Sequence, residues 1–293
     1  MEAIQADRLV KRYRDVTAVD GLTLSIREGE LFALLGVNGA GKTTTVKMLS
    51  CLTQPTAGDA RLLGHSVVSE PAAVKRLIGV SPQETAVAPK LSVRENLGLM
   101  CGVHGFSKEK RRRKTAELAE ALELTGVLRK QAGKLSGGWQ RRLSIAMALI
   151  GEPKILFLDE PTSGLDPLAR DELLDVFRSV AYDRDKSILF STHVTSDLDK
   201  CADKILIIRD GKIISDSTRD ELIDGHVIIR GGADELTDEI KAKAVGYKTN
   251  AYSFSALVKR GETSTEGFVT EKPDLEDVMI YYYRRAGEGD TAL

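Results

Sequence analysis

Residues 36 to 43 read GVNGAGKT and lie between the apolar run LFALL (Leu31 to Leu35) and the helical pattern TTVKMLS. A short buried strand entering a glycine-rich turn and then a helix is the setting that a phosphate-binding loop requires. Gly36, Gly39 and Gly41 let the backbone curl with its N–H groups inward, and a helix begun at Lys42 brings the positive end of its dipole to the same spot. Lys42 is then placed to reach β- and γ-phosphates, and the Thr43 hydroxyl to hold the Mg²⁺ that rides on them. A bare strand-to-helix turn is the alternative, but all the fixed positions and both flanks match the phosphate socket.

A phosphate loop alone names neither nucleotide nor reaction. The second signal is KILFLDEP, Lys154 to Pro161, an apolar strand ending in two adjacent carboxylates. Adjacent residues on an extended strand point to opposite sides, so the two acids take different roles. Asp159 is expected in the Mg²⁺ shell opposite Thr43, and Glu160 close enough to polarise a water in line with the γ-phosphate.

The third signal is KLSGGWQRR, Lys134 to Arg142. Ser136 is expected to cap the following helix, and two glycines at its first turn bare backbone N–H groups, which makes a second anion site. One chain would then carry one nucleotide but two phosphate-binding devices. The economical resolution is that Ser136, Gly137 and Gly138 close onto the γ-phosphate held by another subunit.

Around these motifs the chain changes periodicity. IQADRLVKRY and LTLSI alternate, as half-solvated antiparallel strands do, with turn signals at Asp20-Gly21 and Glu28-Gly29, whereas LFALL is continuous and suits a strand buried in a parallel sheet. IGVSPQ is a further strand running into a Pro-initiated loop. Residues from about 90 to 151 read as a helical subdomain, with Leu143, Ala146, Met147 and Ile150 on one stripe. From 154 the alternation of strand and helix returns through KILFLD, a helix with Leu173, Val176, Phe177 and Val180 on one face, SILFST, a short helix, DKILIIRD and KIISD. The expected architecture is α/β, a mostly parallel sheet with an antiparallel β subdomain and an inserted helical subdomain, spanning residues 1–217. Residues 218–293 are expected to form a small α+β accessory domain: strands HVIIRG and AYSFSALVKRG, a helix DELTDEIKAKAV, and a final helix PDLEDVMIYYYRR with Leu275, Val278, Met279 and Tyr282 on one face.

Composition narrows the partners. The chain carries 42 Lys and Arg against 43 Asp and Glu, so no global basic field favours nucleic acid. Cys51, Cys101 and Cys201 are scattered and odd in number, which fits a reducing compartment better than a disulfide framework. No apolar stretch approaches the ~18 residues of a bilayer span, and MEAIQADRLVKRYRD lacks a signal-peptide core, so a soluble, cytosolic chain is expected. KEKRRRK, Lys108 to Lys114, reads as a solvated helix face, with a role near anionic lipid headgroups as the minority reading.

Taken together, the motifs resemble the ATP-binding subunit of ABC transporters over roughly residues 3 to 217. GVNGAGKT resembles the family's Walker A motif, KILFLDEP its Walker B motif with catalytic glutamate, and LSGGW its signature, with Trp139 where the commonest form has Gln. The resemblance implies that ATP is held by Gly36, Asn38, Gly39, Ala40, Gly41, Lys42, Thr43 and Thr44, with Tyr13 stacked on adenine. It also implies Gln83 as the lid glutamine sensing metal and attacking water, His193 as the switch histidine, and Ser163-Gly164-Leu165-Asp166 as a loop crossing to the partner. Glu160, His193, Gln83 and Lys42 would be catalytic; Thr43, Gln83 and Asp159 would surround Mg²⁺.

The resemblance further implies an ATPase that pairs with a second cassette, identical or not, around two Mg·ATP. It would sit on the cytoplasmic face of the cell membrane, held by permease subunits encoded as separate chains and touching them through the loop after Gln83. TTTVKMLSCLTQPTAGDARLLG and the short C-terminal extension resemble two-component exporters of drugs, peptides or ions. Two rivals stand beside this reading. A soluble ABC ATPase of translation or DNA repair usually has tandem cassettes or a long coiled coil, and neither is visible here. A phosphate-loop GTPase would carry NKxD, which is absent, and would leave SGGW unexplained.

Overall fold

The computed structural model describes residues 1–181 and 186–284. Its contacts divide the chain into one unit of residues 1–193 and 200–215 and a second of residues 194–199 and 216 onward.

The first unit opens with two long antiparallel strands, β1 (Glu2–Tyr13) and β2 (Val16–Arg27). Ile4 and Ala6 point inward by alternation, and an irregularity between Ala6 and Leu9 resets the phase so that Leu9 is buried as well. The chain reverses at Arg14-Asp15, with Arg14 at φ +50°, and not at Asp20-Gly21, which falls inside β2. β3 (Leu31–Leu35) is buried at all five residues, as a strand covered on both faces must be. It feeds α1 (Lys42–Leu49) through the glycine loop. β4 (Ala57–Leu62) and the short β5 (His65–Ser66) complete an outer sheet of order β2-β1-β4-β5.

α2 (Pro71–Leu77) leads into β6 (Ile78–Ser81). Three helices follow without an intervening strand: α3 (Val93–Val103), α4 (Lys108–Ala121) and α5 (Gly137–Leu149). α3 is started by a reciprocal capping box between Ser92 and Glu95. α5 buries the expected Leu143, Ala146 and Met147, but also Arg141, Arg142, Ser144 and Ile145, so it is enclosed on nearly every side. On α4 most of the basic run is exposed, while Lys114 is buried between Glu117 at 2.7 Å and Glu152 at 3.1 Å.

β7 (Ile155–Asp159), α6 (Pro167–Ala181), β8 (Ser187–Thr192), α7 (Thr195–Cys201), β9 (Lys204–Arg209) and β10 (Lys212–Ser217) follow. The central sheet runs β10-β9-β3-β8-β7-β6, and the five strands from β9 to β6 are parallel. Their carboxyl ends therefore meet along one edge, where the glycine loop, the two acids and the Gln83 loop all emerge. Phe32, Leu34, Phe157, Leu189 and Leu206 from this sheet join Ile4, Leu9 and Leu22 from the outer one in a continuous core.

The second unit has a four-stranded antiparallel sheet. α8 (Arg219–Asp224) precedes β11 (His226–Gly232), then α9 (Asp238–Lys243), β12 (Ala244–Thr249), β13 (Ser253–Lys259), β14 (Val269–Glu271) and α10 (Leu275–Tyr283). The strand order is β12-β13-β11-β14 around Val227, Ile229, Phe254, Ala256 and Val258. The expected single helix over DELTDEIKAKAV ends at Lys243, because Ala244 onward pairs with β13. α10 buries Tyr281 in place of Met279, and Arg285, the end of that sequence expectation, lies outside the described residues. No helix among the described residues is long and apolar enough to cross a membrane.

Candidate functional site

The glycine loop is shaped by two left-handed residues, Gly39 at φ +84° and Gly41 at φ +108°. At Gly41 a side chain would also collide, since a Cβ there would sit 2.5 Å from the Ala18 carbonyl oxygen. At Gly39 it would meet nothing within 4 Å. The loop is tied back by Gly36 N–H donating to Thr192 O at 3.1 Å and Gly211 N–H donating to Ala40 O at 3.0 Å. Ala40 is thereby buried beneath the loop. The Lys42 ammonium donates to Gly36 O at 2.7 Å and Val37 O at 3.2 Å, and lies 3.1 Å from Glu160 Oε1.

Asp159 ends β7 and Glu160 follows it, outside the strand. Asp159 Oδ1 accepts from Thr43 Oγ1 at 3.2 Å and from Ser191 Oγ at 2.6 Å. Glu160 turns the other way at φ +44°, a left-handed backbone that costs a non-glycine residue about 1–2 kcal/mol. Its N–H is held by Ser191 Oγ at 2.9 Å. The Glu160 carboxylate gathers three further side chains: Lys42 on Oε1, and on Oε2 both Gln83 Nε2 at 3.4 Å and His193 Nδ1 at 3.3 Å.

Lys42, Gln83, Glu160 and His193 line one cleft of about 640 Å³, together with Tyr13, Ala18, Asn38, Gly39, Gly41, Thr43, Thr44 and Ser163. Tyr13 stands half exposed at the end of β1, with Lys11 Nζ 5.1 Å from its ring centre. An open aromatic at the mouth of a phosphate cradle is placed to stack on a base. The loop hydroxyl and the Asp159 carboxylate offer hard oxygen ligands side by side, the donor set that suits Mg²⁺ carried in on phosphate oxygens.

The signature residues are not part of this cleft. Ser136 occupies the N-cap of α5 in extended conformation, yet its side chain makes no capping bond, contrary to the sequence expectation. Both Ser136 and Gly137 are exposed. Neither signature glycine has a positive φ. A Cβ added at Gly137 would meet only Leu165 Cδ2 at 3.8 Å, and at Gly138 nothing closer than Ala169 Cβ at 3.4 Å. Asp166 also lies outside the cleft and caps α6, accepting from Leu168 N at 3.1 Å and Ala169 N at 3.0 Å.

Two residues that support the site have no role assigned from the sequence. Ser191 fixes Asp159 and Glu160 at once, and only its position one strand over from β7 reveals it. Arg141 is buried on α5 and donates to the Pro82 and Gln83 carbonyls. It lies within KLSGGWQRR, where only Ser136, Gly137 and Gly138 carry an expected role. Burial pushes its guanidinium below the ordinary range, with Asp159 and Glu160 pulling the other way.

Comparison with known proteins fits this geometry. Residues 19–163 match the family described as ABC transporter. The daunorubicin/doxorubicin resistance ATP-binding protein of Streptomyces peucetius is 40% identical over 220 residues, 75% of this chain and 66% of that protein, just under two thirds of its length. A daunorubicin resistance ATP-binding protein of Streptomyces coeruleorubidus is 42% identical over 75% of this chain and 69% of its own. Nod factor export ATP-binding protein I of Burkholderia orbicola is 40% identical, covering 74% and 71%. Among solved structures, a dimeric ATP-binding cassette in a post-hydrolysis state with ADP and Pi matches with a TM-score of 0.67 and 25% identity, over 73% of this chain and 98% of that one.

Proposed function

The chain belongs to the ABC transporter family as an ATP-binding subunit, and we propose that it powers export through a separate membrane permease. Two copies, or one copy and a paired cassette, close head to tail around two Mg·ATP. Opening after hydrolysis resets the permease. Among a drug, a peptide and an ion as cargo, the names of its relatives support export and a drug, since they include drug resistance and Nod factor export.

Each residue of the cleft has a chemical part in that cycle. The curled loop from Gly36 to Thr44 wraps the phosphates with N–H groups, and Lys42 exchanges its two carbonyl partners for phosphate oxygens. Thr43 and Asp159, with Gln83 nearby, hold Mg²⁺, which neutralises phosphate charge when bound. Glu160 takes the proton of the attacking water, Gln83 orients that water, and His193 stands beside the same carboxylate oxygen that Gln83 reaches, with its buried Nδ1 free to turn to the γ-phosphate. The second copy's Ser136, Gly137 and Gly138 complete the anion cradle that one copy lacks.

The observation that carries the paired mechanism is the state of Gly137 and Gly138. Neither backbone angle nor packing within the chain calls for glycine at either position. A close approach from another molecule does. The test is the ATPase rate measured against protein concentration. A specific rate that falls on dilution supports the shared site; full speed in a dilute monomer overturns it. Co-purification with an integral membrane protein tests the transport role.

A further inference from the structure

The signature helix α5 is fastened to the Gln83 loop by three side chains on neighbouring turns. Ser144 Oγ meets Ser81 Oγ at 2.9 Å in a buried contact at the end of β6. Gln140 Oε1 accepts from Thr85 Oγ1 at 3.4 Å, and Gln140 Nε2 donates to Leu135 O at 3.1 Å. Between them, Arg141 places Nη1 2.7 Å from Pro82 O and Nη2 2.7 Å from Gln83 O. The two carbonyls belong to successive residues, so the rigid guanidinium fork fixes the backbone from which the Gln83 side chain departs. Gln83 in turn reaches Glu160 at 3.4 Å, a contact at the edge of hydrogen-bond range. A shift of a few tenths of an ångström in its backbone breaks that contact.

We propose that Arg141 is a positioning residue for hydrolysis: it holds Gln83 against Glu160 and makes the signature helix and the Gln83 loop move as one piece. Arg141 is 5% exposed and forms no ion pair among the described residues. Its two guanidinium N–H groups each meet a backbone carbonyl at the same short distance, while the Asp159 and Glu160 carboxylates act on its charge without a direct contact. A lysine there would offer a point charge without the fork. The consequence is directional. Anything that displaces the helical segment carrying Ser136 to Gly138 also displaces Gln83, so signature engagement and the geometry at Glu160 are linked through this fastening, in which Arg141 alone of the three side chains holds the Gln83 carbonyl.

This inference rests on the cleft being an ATPase site, and the experiment separates the two. In full-length protein, Arg141→Ala should lower kcat roughly tenfold or more, the scale set by misplacing a positioned group, while KM for ATP changes less than about twofold because Arg141 touches nothing in the phosphate cradle. Arg141→Lys should recover part of the loss. The deciding measurement is a cycle with Gln83→Ala: the double variant Gln83→Ala/Arg141→Ala should be no slower than Gln83→Ala alone. Losses that multiply, or an Arg141→Ala kcat equal to wild type, overturn the positioning role while leaving the ATPase reading intact. If Arg141→Ala does not fold, Arg141→Lys enters the same cycle with the same criterion. A wild-type chain without ATPase activity overturns both.

Discussion

Lys42 and Glu160 form a buried ion pair at 3.1 Å, beside the hydrogen bond that joins their chain neighbours Thr43 and Asp159. The pair ties the glycine loop to the acid proposed to activate water, so the lysine proposed to grip phosphate also screens that acid. A polyphosphate that captures Lys42 leaves Glu160 with Gln83 and His193 for company. Replacing Glu160 by Gln removes the base but keeps its shape, and Lys42 retains its two carbonyl partners. Hydrolysis should fall by about 100-fold or more. ATP binding should persist, and size exclusion with ATP should show a stable dimer.

Gly138→Asp addresses the other half of the proposed shared site. The new carboxylate would face anionic phosphate at a position where this chain leaves room for a side chain. Monomer ATP affinity should stay within about twofold of wild type, while turnover drops about 100-fold, the scale of losing a donor to a developing anion. Equal loss of binding and turnover would mean that the signature acts within its own chain.

Ser191 makes a sharper test of the acid pair. Its hydroxyl donates to Asp159 Oδ1 at 2.6 Å and accepts the Glu160 N–H at 2.9 Å. Ser191→Ala leaves a buried N–H unpaired and frees Asp159 to swing, which costs about 1–3 kcal/mol of stability. The Mg²⁺ concentration for half-maximal ATPase should rise about 10-fold to 100-fold, the usual effect of losing a ligand's supporting partner. Titration of Mg²⁺ at saturating ATP measures it.

The motifs showed themselves in the sequence because each is a local pattern: glycines before a lysine, two acids at a strand end, two glycines at a helix start. Asp159 and Glu160 do face different partners, but the alternation expected of an extended strand is not the cause: β7 stops at Asp159, and Glu160 leaves it through a left-handed backbone at φ +44°. The roles of Ser191 and Arg141 stayed hidden because their partners are distant in sequence: Asp159 lies 32 residues from Ser191 and Gln83 58 residues from Arg141. The hairpin at Arg14-Asp15 left no signal either, since Arg14 takes a left-handed angle without glycine while Gly21, also left-handed, sits inside a strand. Similarly, Ala244 to Thr249 follow a helical run, and only pairing with β13 turns them into a strand.

The second unit carries a pH dependence of its own. His226 is buried where α8, β11 and α10 meet. Nδ1 faces Leu222 O at 2.8 Å and therefore holds the proton, leaving Nε2 to accept from the Tyr282 hydroxyl at 3.3 Å. Burial pushes the imidazole below its ordinary value of 6.5; Lys259 pushes the same way, while the Leu222 bond and Glu262 oppose them. Between the folded and unfolded values the unfolded chain binds more protons, so stability rises with pH there. The contribution is whole above about pH 6.5 and is lost as pH falls through the folded value. Hydrogen exchange of full-length protein at pH 7.5 and pH 5 should therefore show residues 226–232 losing protection at the lower pH, after correction for intrinsic rates. In His226→Gln, which cannot titrate, that loss should shrink; an unchanged loss would assign the acid sensitivity to other groups.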